Sequence, residues 1–288
     1  MNHHFEARLQ ALVDRLRSHE DFASDRRART GTKGITRVLH DVYYPKYNFR
    51  RCLRRESAPE NVRPAVGSAN GMRRGRLVDG QLCDLVRRFR TEICRDSTIA
   101  RMRETGRLMS FRGFVEREAP RHLHLMTRAA IRRLNRMNLL PVDAQVLVGD
   151  TESLTRTAVD VLCVLKRDPR KAVLVELKCG FDRYLSLSSG KMRFELRAVD
   201  NSPQNQHHLQ LAVTRELYAR AYASLEVPTG LVLWINNDGN TRAESVRPWA
   251  IENVDAVLRR MRGRIRRSSR VVTVRRDRRF DERTPPRA

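Results

Sequence analysis

Residues 157–180 read TAVDVLCVLKRDPRKAVLVELKCG. Two runs of branched apolar residues, 158–165 and 172–177, flank the polar segment KRDPR, in which Asp168-Pro169 marks a turn. Such nearly continuous apolar runs belong to strands covered on both faces. The segment is therefore expected to form a β-hairpin within a sheet. Folded about Asp168, it sets Asp160 opposite Glu176, about 5 Å apart at Cβ. Side chains two apart share a strand face, so Lys178 lies beside Glu176, about 7 Å along. Two carboxylates and one ammonium then project from one patch of an otherwise apolar hairpin.

The flanking segments change period. Val78, Leu82, Leu85, Val86, Phe89 and Ile93 recur at steps of three or four, which predicts an amphipathic helix from Leu77. A second helix is expected over 122–137, closed by Asn138 and Pro141, and a short strand over 144–148. Helical spacing returns over 204–222 through Leu209, Val213, Leu217 and Tyr218. An apolar strand follows at 229–235 (TGLVLWI), ended by the turn NNDGN, with 246–251 expected to pair with it as a hairpin. Trp234 and Trp249 thereby fall in strands. A last helix is expected over 254–261. Before residue 57 there is only weak helical periodicity, at Phe5, Leu9, Leu12 and Leu16, and 57–75 is loop-like. The expected architecture is an α/β domain over 75–258, ordered helix, three-strand meander, helix, strand. A basic, partly helical extension (1–74) precedes it, and a disordered Arg-rich tail (259–288) follows.

The 288 residues carry a net charge of +25, and only six of the 58 basic residues are lysine. Arginine in place of lysine is in part codon usage, but that does not explain the excess of positive over negative charge. Clustered guanidinium groups attract phosphate and release its counterions, so a nucleic-acid partner is expected. No apolar run is long enough to span a membrane, and the N-terminus lacks the apolar core of a secretory signal. Five cysteines without a CxxC pair predict a reducing, intracellular setting with neither disulfides nor structural zinc. Basic runs such as RRMRGRIRR suit nuclear import and DNA contact equally.

Two carboxylates side by side in an apolar hairpin need neutralising. Mg²⁺ does this with one or two carboxylates and keeps waters that can attack a phosphodiester. The backbone carbonyl of Leu177 is a further candidate ligand, and Lys178 a group to orient the attacking water or to steady transition-state charge. Glu176-Leu177-Lys178 is the only acidic-x-Lys triplet in the chain. A lysine kept inside a strand, in a chain that otherwise uses arginine, suits a position needing a compact ammonium. The plain alternative is a structural ion pair at a solvated sheet edge.

The order of elements, with Asp160 on one strand, Glu-x-Lys on the next and a glutamine on the following helix, resembles the PD-(D/E)XK nuclease superfamily. Its lambda-exonuclease and RecB-type branch, as carried by large DNA viruses and mobile elements, is the nearest in pattern. The resemblance covers about residues 75–240. It implies a restriction-endonuclease-like core and Mg²⁺-dependent cleavage of DNA, with Mn²⁺ as a substitute. Asp160 and Glu176 would hold the metal, Lys178 would be the catalytic lysine, and Gln210 would position the motif strand or a phosphate. Gln206, one turn earlier, and His207 are candidate phosphate contacts. Asp79 stands where the RecB-type pattern has a histidine, either as a ligand for a second ion or as a carboxylate serving the helix N-terminus. Arg73, Arg74 and Arg76, expected just before that helix, would grip backbone phosphates, whereas Arg87, Arg88 and Arg90 are expected to form a solvated face. Exonuclease and endonuclease remain open, and a different class, a non-catalytic DNA-binding or packaging protein on a degenerate nuclease fold, shares the charge.

Overall fold

The structure is a computed structural model and describes residues 3–23, 33–45, 69–119, 122–150, 154–180, 185–222 and 228–281. In chain order the elements are α1 (His3–Ala23), β1 (Lys33–Gly34), α2 (Ile35–Tyr43), α3 (Ala69–Ile93), α4 (Asp96–Thr105), α5 (Phe111–Glu118) and α6 (Leu125–Arg136). The strands β2 (Leu139–Asp150), β3 (Thr155–Leu165) and β4 (Asp168–Cys179) follow, then α7 (Pro203–Ala221), β5 (Thr229–Ile235), β6 (Thr241–Ser245), α8 (Pro248–Glu252) and α9 (Val254–Asp281). The protein is a mixed α/β fold built on one six-stranded mixed sheet.

The strands β2, β3 and β4 form an antiparallel meander, α7 crosses over to place β5 parallel to β4, and β6 returns antiparallel on β5. Val161 faces Val175, Leu162 faces Leu174, Cys163 faces Val173 and Val164 faces Ala172, the register expected of the hairpin. Its turn, however, is Lys166-Arg167. A shift after Val164 sets Leu165 opposite Asp168, so Asp168-Pro169 already belongs to β4. Local chemistry marks the ends of the flanking helices. After α6 and its C-cap Met137, Asn138 takes the left-handed conformation (φ 55°) that stops a helix. Ser202 caps α7 by accepting the Asn205 N–H, with Pro203 in the first turn, where its missing N–H costs nothing.

Other expectations are corrected. Residues 246–251 do not form the hairpin partner of β5; that role falls to Thr241–Ser245, and Pro248 opens a helix that carries Trp249. Helix α3 begins at Ala69, so Arg73, Arg74 and Arg76 lie within it. Helix α9 continues past Arg259 to Asp281 where a disordered tail was expected, and Val257, Leu258, Met261 and Ile265 give it a buried stripe at helical spacing. The N-terminal segment is more than an appendage: Phe5, Leu9, Leu12 and Val13 of α1, with Ile35, Val38, Leu39 and Val42 of α2, belong to the same apolar core as the sheet. Residues 57–68 of the expected loop and 282–288 of the expected tail lie outside the described residues. Among the described residues, no helix is long and apolar enough to cross a membrane.

Candidate active site

Pairing between β3 and β4 stops at Val161 and Val175. One edge of β3 is occupied by β2 along its length, down to Thr155. The two residues of β1 pair with Thr155 and Arg156 and so take the other edge, the one β4 has left. A notch therefore opens between the first half of β3 and the last residues of β4. Asp160, the first residue of β3 beyond the shared ladder, lies in it.

The Asp160 Oδ2 accepts the backbone N–H of Leu177 at 2.8 Å. In an extended strand the N–H and C=O of one residue point to the same edge, so the Leu177 carbonyl faces the same notch. Glu176 is buried, 2% exposed. Its Oε1 receives the Lys178 ammonium at 2.5 Å and the Gln210 amide at 2.6 Å. Asp79 and Asp160 are joined by one side chain: the Gln145 amide donates to Asp79 Oδ1 at 3.2 Å and lies 3.4 Å from Asp160 Oδ1. Gln145 interrupts β2 with φ 55°, the left-handed region that a residue with a side chain enters at a cost of about 1–2 kcal/mol. Strain of this kind is found where a side chain must be aimed.

Two helices supply the outer groups, from opposite faces of the sheet. Gln210 on α7 reaches Glu176, which shares a strand face with Lys178. Asp79 on α3 acts on the thiol of Cys179, which points to the other face.

The electrostatics follow from this crowding. Burial, then the charge of Glu176, with a smaller push from Asp79, raise Asp160 to about 8 against the pull of Lys178 and the Leu177 N–H. Burial by itself would favour a neutral Lys178, but Glu176 and Asp160 outweigh it and hold the ammonium protonated. Burial and the nearby Asp79 push the thiols of Cys83 and Cys179 up to about 12, so neither is a ready nucleophile. The site is short of positive charge, which is the condition a bound cation relieves. Among the described residues no group of three or more His, Cys, Asp or Glu is arranged to hold a metal ion. The donors present are Asp160, Glu176 and the Leu177 carbonyl, an all-oxygen set. That set fits Mg²⁺, which binds through one or two carboxylates and retains water, and does not fit a zinc site of His and Cys.

Asp160, Glu176, Lys178 and Gln210 thus come together as the sequence led us to expect. Asp79 joins them through Gln145, but it sits in the third turn of α3, so service at the helix N-terminus is ruled out. Arg76 lies one turn before Asp79 and Arg73 one turn before that, both exposed, while Arg74 is half-buried. Gln206 does not reach the carboxylates; its amide donates to Asn201 Oδ1 at 2.8 Å. His207 is no cationic phosphate contact. Its Nδ1 accepts the Trp234 indole N–H at 3.0 Å, and burial, with Lys178 and His208 nearby, drives its pKa well below the usual value. Arg90 is not on a solvated face: it pairs with the buried Asp143 at 2.5 Å. Gln145 has no signature in the sequence, since a lone glutamine in an expected strand carries no signal until its backbone conformation is known. A scan against protein-family models gives no match, and neither does a search of curated proteins.

Proposed function

We propose that this chain is a Mg²⁺-dependent nuclease that hydrolyses phosphodiester bonds of DNA. The reading is carried by one observation: Asp160 and Glu176, from adjacent strands, meet where those strands part, with the Lys178 ammonium on the same carboxylate as the Gln210 amide. A mere ion pair at a sheet edge needs neither the second carboxylate nor the notch. The net charge of +25 supplies the attraction to a polyanion.

Asp160, Glu176 and the Leu177 carbonyl would hold the cation, which when bound supplies charge neutralisation at the phosphate and a more acidic attacking water. Gln210 fixes the Glu176 carboxylate through Oε1 and leaves Oε2 for this purpose. Lys178 is held protonated and is therefore a donor to a phosphate oxygen or to the attacking water rather than a base. Gln145 holds Asp79 and Asp160 at a fixed separation on the far side of the notch.

Incubation with linear and closed-circular DNA, in Mg²⁺ or in EDTA, tests the reading. Mg²⁺-dependent cleavage is expected, and the circular substrate separates endonuclease from exonuclease. Binding of DNA without cleavage under any divalent ion would instead favour the non-catalytic alternative.

A further inference from the structure

We propose that a basic cleft at the far end of β3 grips backbone phosphates of the same DNA, away from the candidate catalytic notch. This rests on the nuclease reading and names a contact surface that the reading does not require. The cleft has a volume of about 520 Å³ and is lined by Lys33, Arg37, Arg156 and Arg264, with Asp41 the one carboxylate among the described lining residues. These four cations come from four elements, β1, α2, β3 and α9, which only the fold brings together. Lys33 and Arg37, both exposed, bring like charge to one concavity from adjoining elements, an arrangement that attracts an anionic ligand. The first turn of α2 also opens here, behind Gly34, which brings no side-chain acceptor to the free amides.

The placement matches a polynucleotide. Arg156 and Asp160 lie four residues apart on β3, hence on one face and about 13 Å from each other. Successive phosphates of one DNA strand advance about 3.4 Å along the helix axis. Because the backbone also winds around that axis, a straight-line separation of about 13 Å spans about two phosphates, and one strand can occupy both sites. A small anion gains nothing from that distance.

The test is binding of a fluorescein-labelled duplex to the full chain in EDTA over a series of KCl concentrations. The double variant Lys33→Gln/Arg37→Gln is compared with Arg112→Gln/Arg132→Gln, which removes the same charge from α5 and α6. Lys33 and Arg37 are exposed, so their loss leaves the core intact, and thermal unfolding checks this. Each lost phosphate contact lowers the slope of log K against log salt by about 0.9, so the cleft variant is expected to lose about 1.8 and to bind roughly 10- to 30-fold more weakly at moderate salt. Arg264→Gln, in the same lining, should lose no more than about 0.9. Unchanged slope and affinity in the cleft variants overturn the proposal and leave the nuclease reading standing. An equal loss in the α5/α6 control also overturns it, since charge alone would then explain binding. Displacement of the duplex by inorganic phosphate as readily as by unlabelled duplex reassigns the cleft to a small anion and refutes the polynucleotide grip. A parent chain that binds no DNA removes both readings together.

Discussion

The Asp160 carboxylate accepts the Leu177 N–H at 2.8 Å and so occupies the place a β3 backbone carbonyl would have taken had the ladder continued. A buried N–H that loses its strand partner must find another. Here the replacement is a carboxyl side chain, so the group that takes over the strand's hydrogen bond is also the group that faces the notch. Folding and chemistry meet in this one hydrogen bond, and the two are separable by mutation.

Asp160→Asn keeps an acceptor for Leu177 and removes the ionisable group beside Glu176. Its stability in metal-free urea unfolding should equal or exceed that of the parent, with cleavage reduced at least about 100-fold. Asp160→Ala leaves the N–H without its acceptor and should lose about 1–3 kcal/mol. If Asn and Ala destabilise alike, the hydrogen bond has no structural role.

Glu176→Gln and Lys178→Ala should each reduce Mg²⁺-dependent cleavage by roughly 100- to 10,000-fold while DNA affinity stays within about threefold. Plasmid nicking and anisotropy on the same preparations provide the two readouts. Parent-like cleavage by either variant would remove the site from consideration.

Gln145→Ala and Gln145→Gly both lose the bridge between Asp79 and Asp160, so their cleavage rates should fall together. Their stabilities should differ, because glycine adopts the φ 55° backbone freely and alanine does not. A gap of about 1 kcal/mol in favour of glycine is expected in thermal unfolding.

The raised pKa of Asp160 makes metal-free stability depend on pH. The folded state holds its proton up to about 8, the unfolded chain only to 3.8, so this contribution is complete below 3.8 and is lost as pH rises through about 8. Calorimetry in EDTA should show a thermal midpoint that falls across this window. Mg²⁺ should restore the midpoint at the alkaline end, where the carboxylates are charged, and Asp160→Asn should flatten the dependence.

His207 has the opposite sign. Its folded pKa lies well below 6.5, so the folded state resists the proton, and stability is lost as pH falls below about 6.5. Protonation of Nδ1 also breaks the bond from Trp234, so in a Trp249→Phe background the emission of Trp234 should change over the acid limb of the stability curve. His207→Gln, which can still accept the indole N–H, should reduce the acid sensitivity.

What the amino-acid sequence determined by itself is the local part of this protein. Period-two and period-three-or-four patterns located the hairpin, its register and the helices on either side, because those patterns report which face each short element buries. Alternation along β4 put Glu176 and Lys178 on one face, and the register put Asp160 at their height. Only the tertiary structure decided the rest. The edge of β3 beyond the parting is taken by β1, a two-residue strand more than a hundred positions earlier, which no periodicity marks. Asp79 meets Asp160 through a glutamine whose left-handed backbone is imposed by the sheet around it. The N-terminal helices enter the core because their apolar stripes find the sheet, and α9 is held to it through Ile265 by a covered stripe of its own. Propensity acts over a few residues, whereas a notch, a bridging amide and a cleft of four cations are distances between segments far apart in the chain, and packing sets those distances.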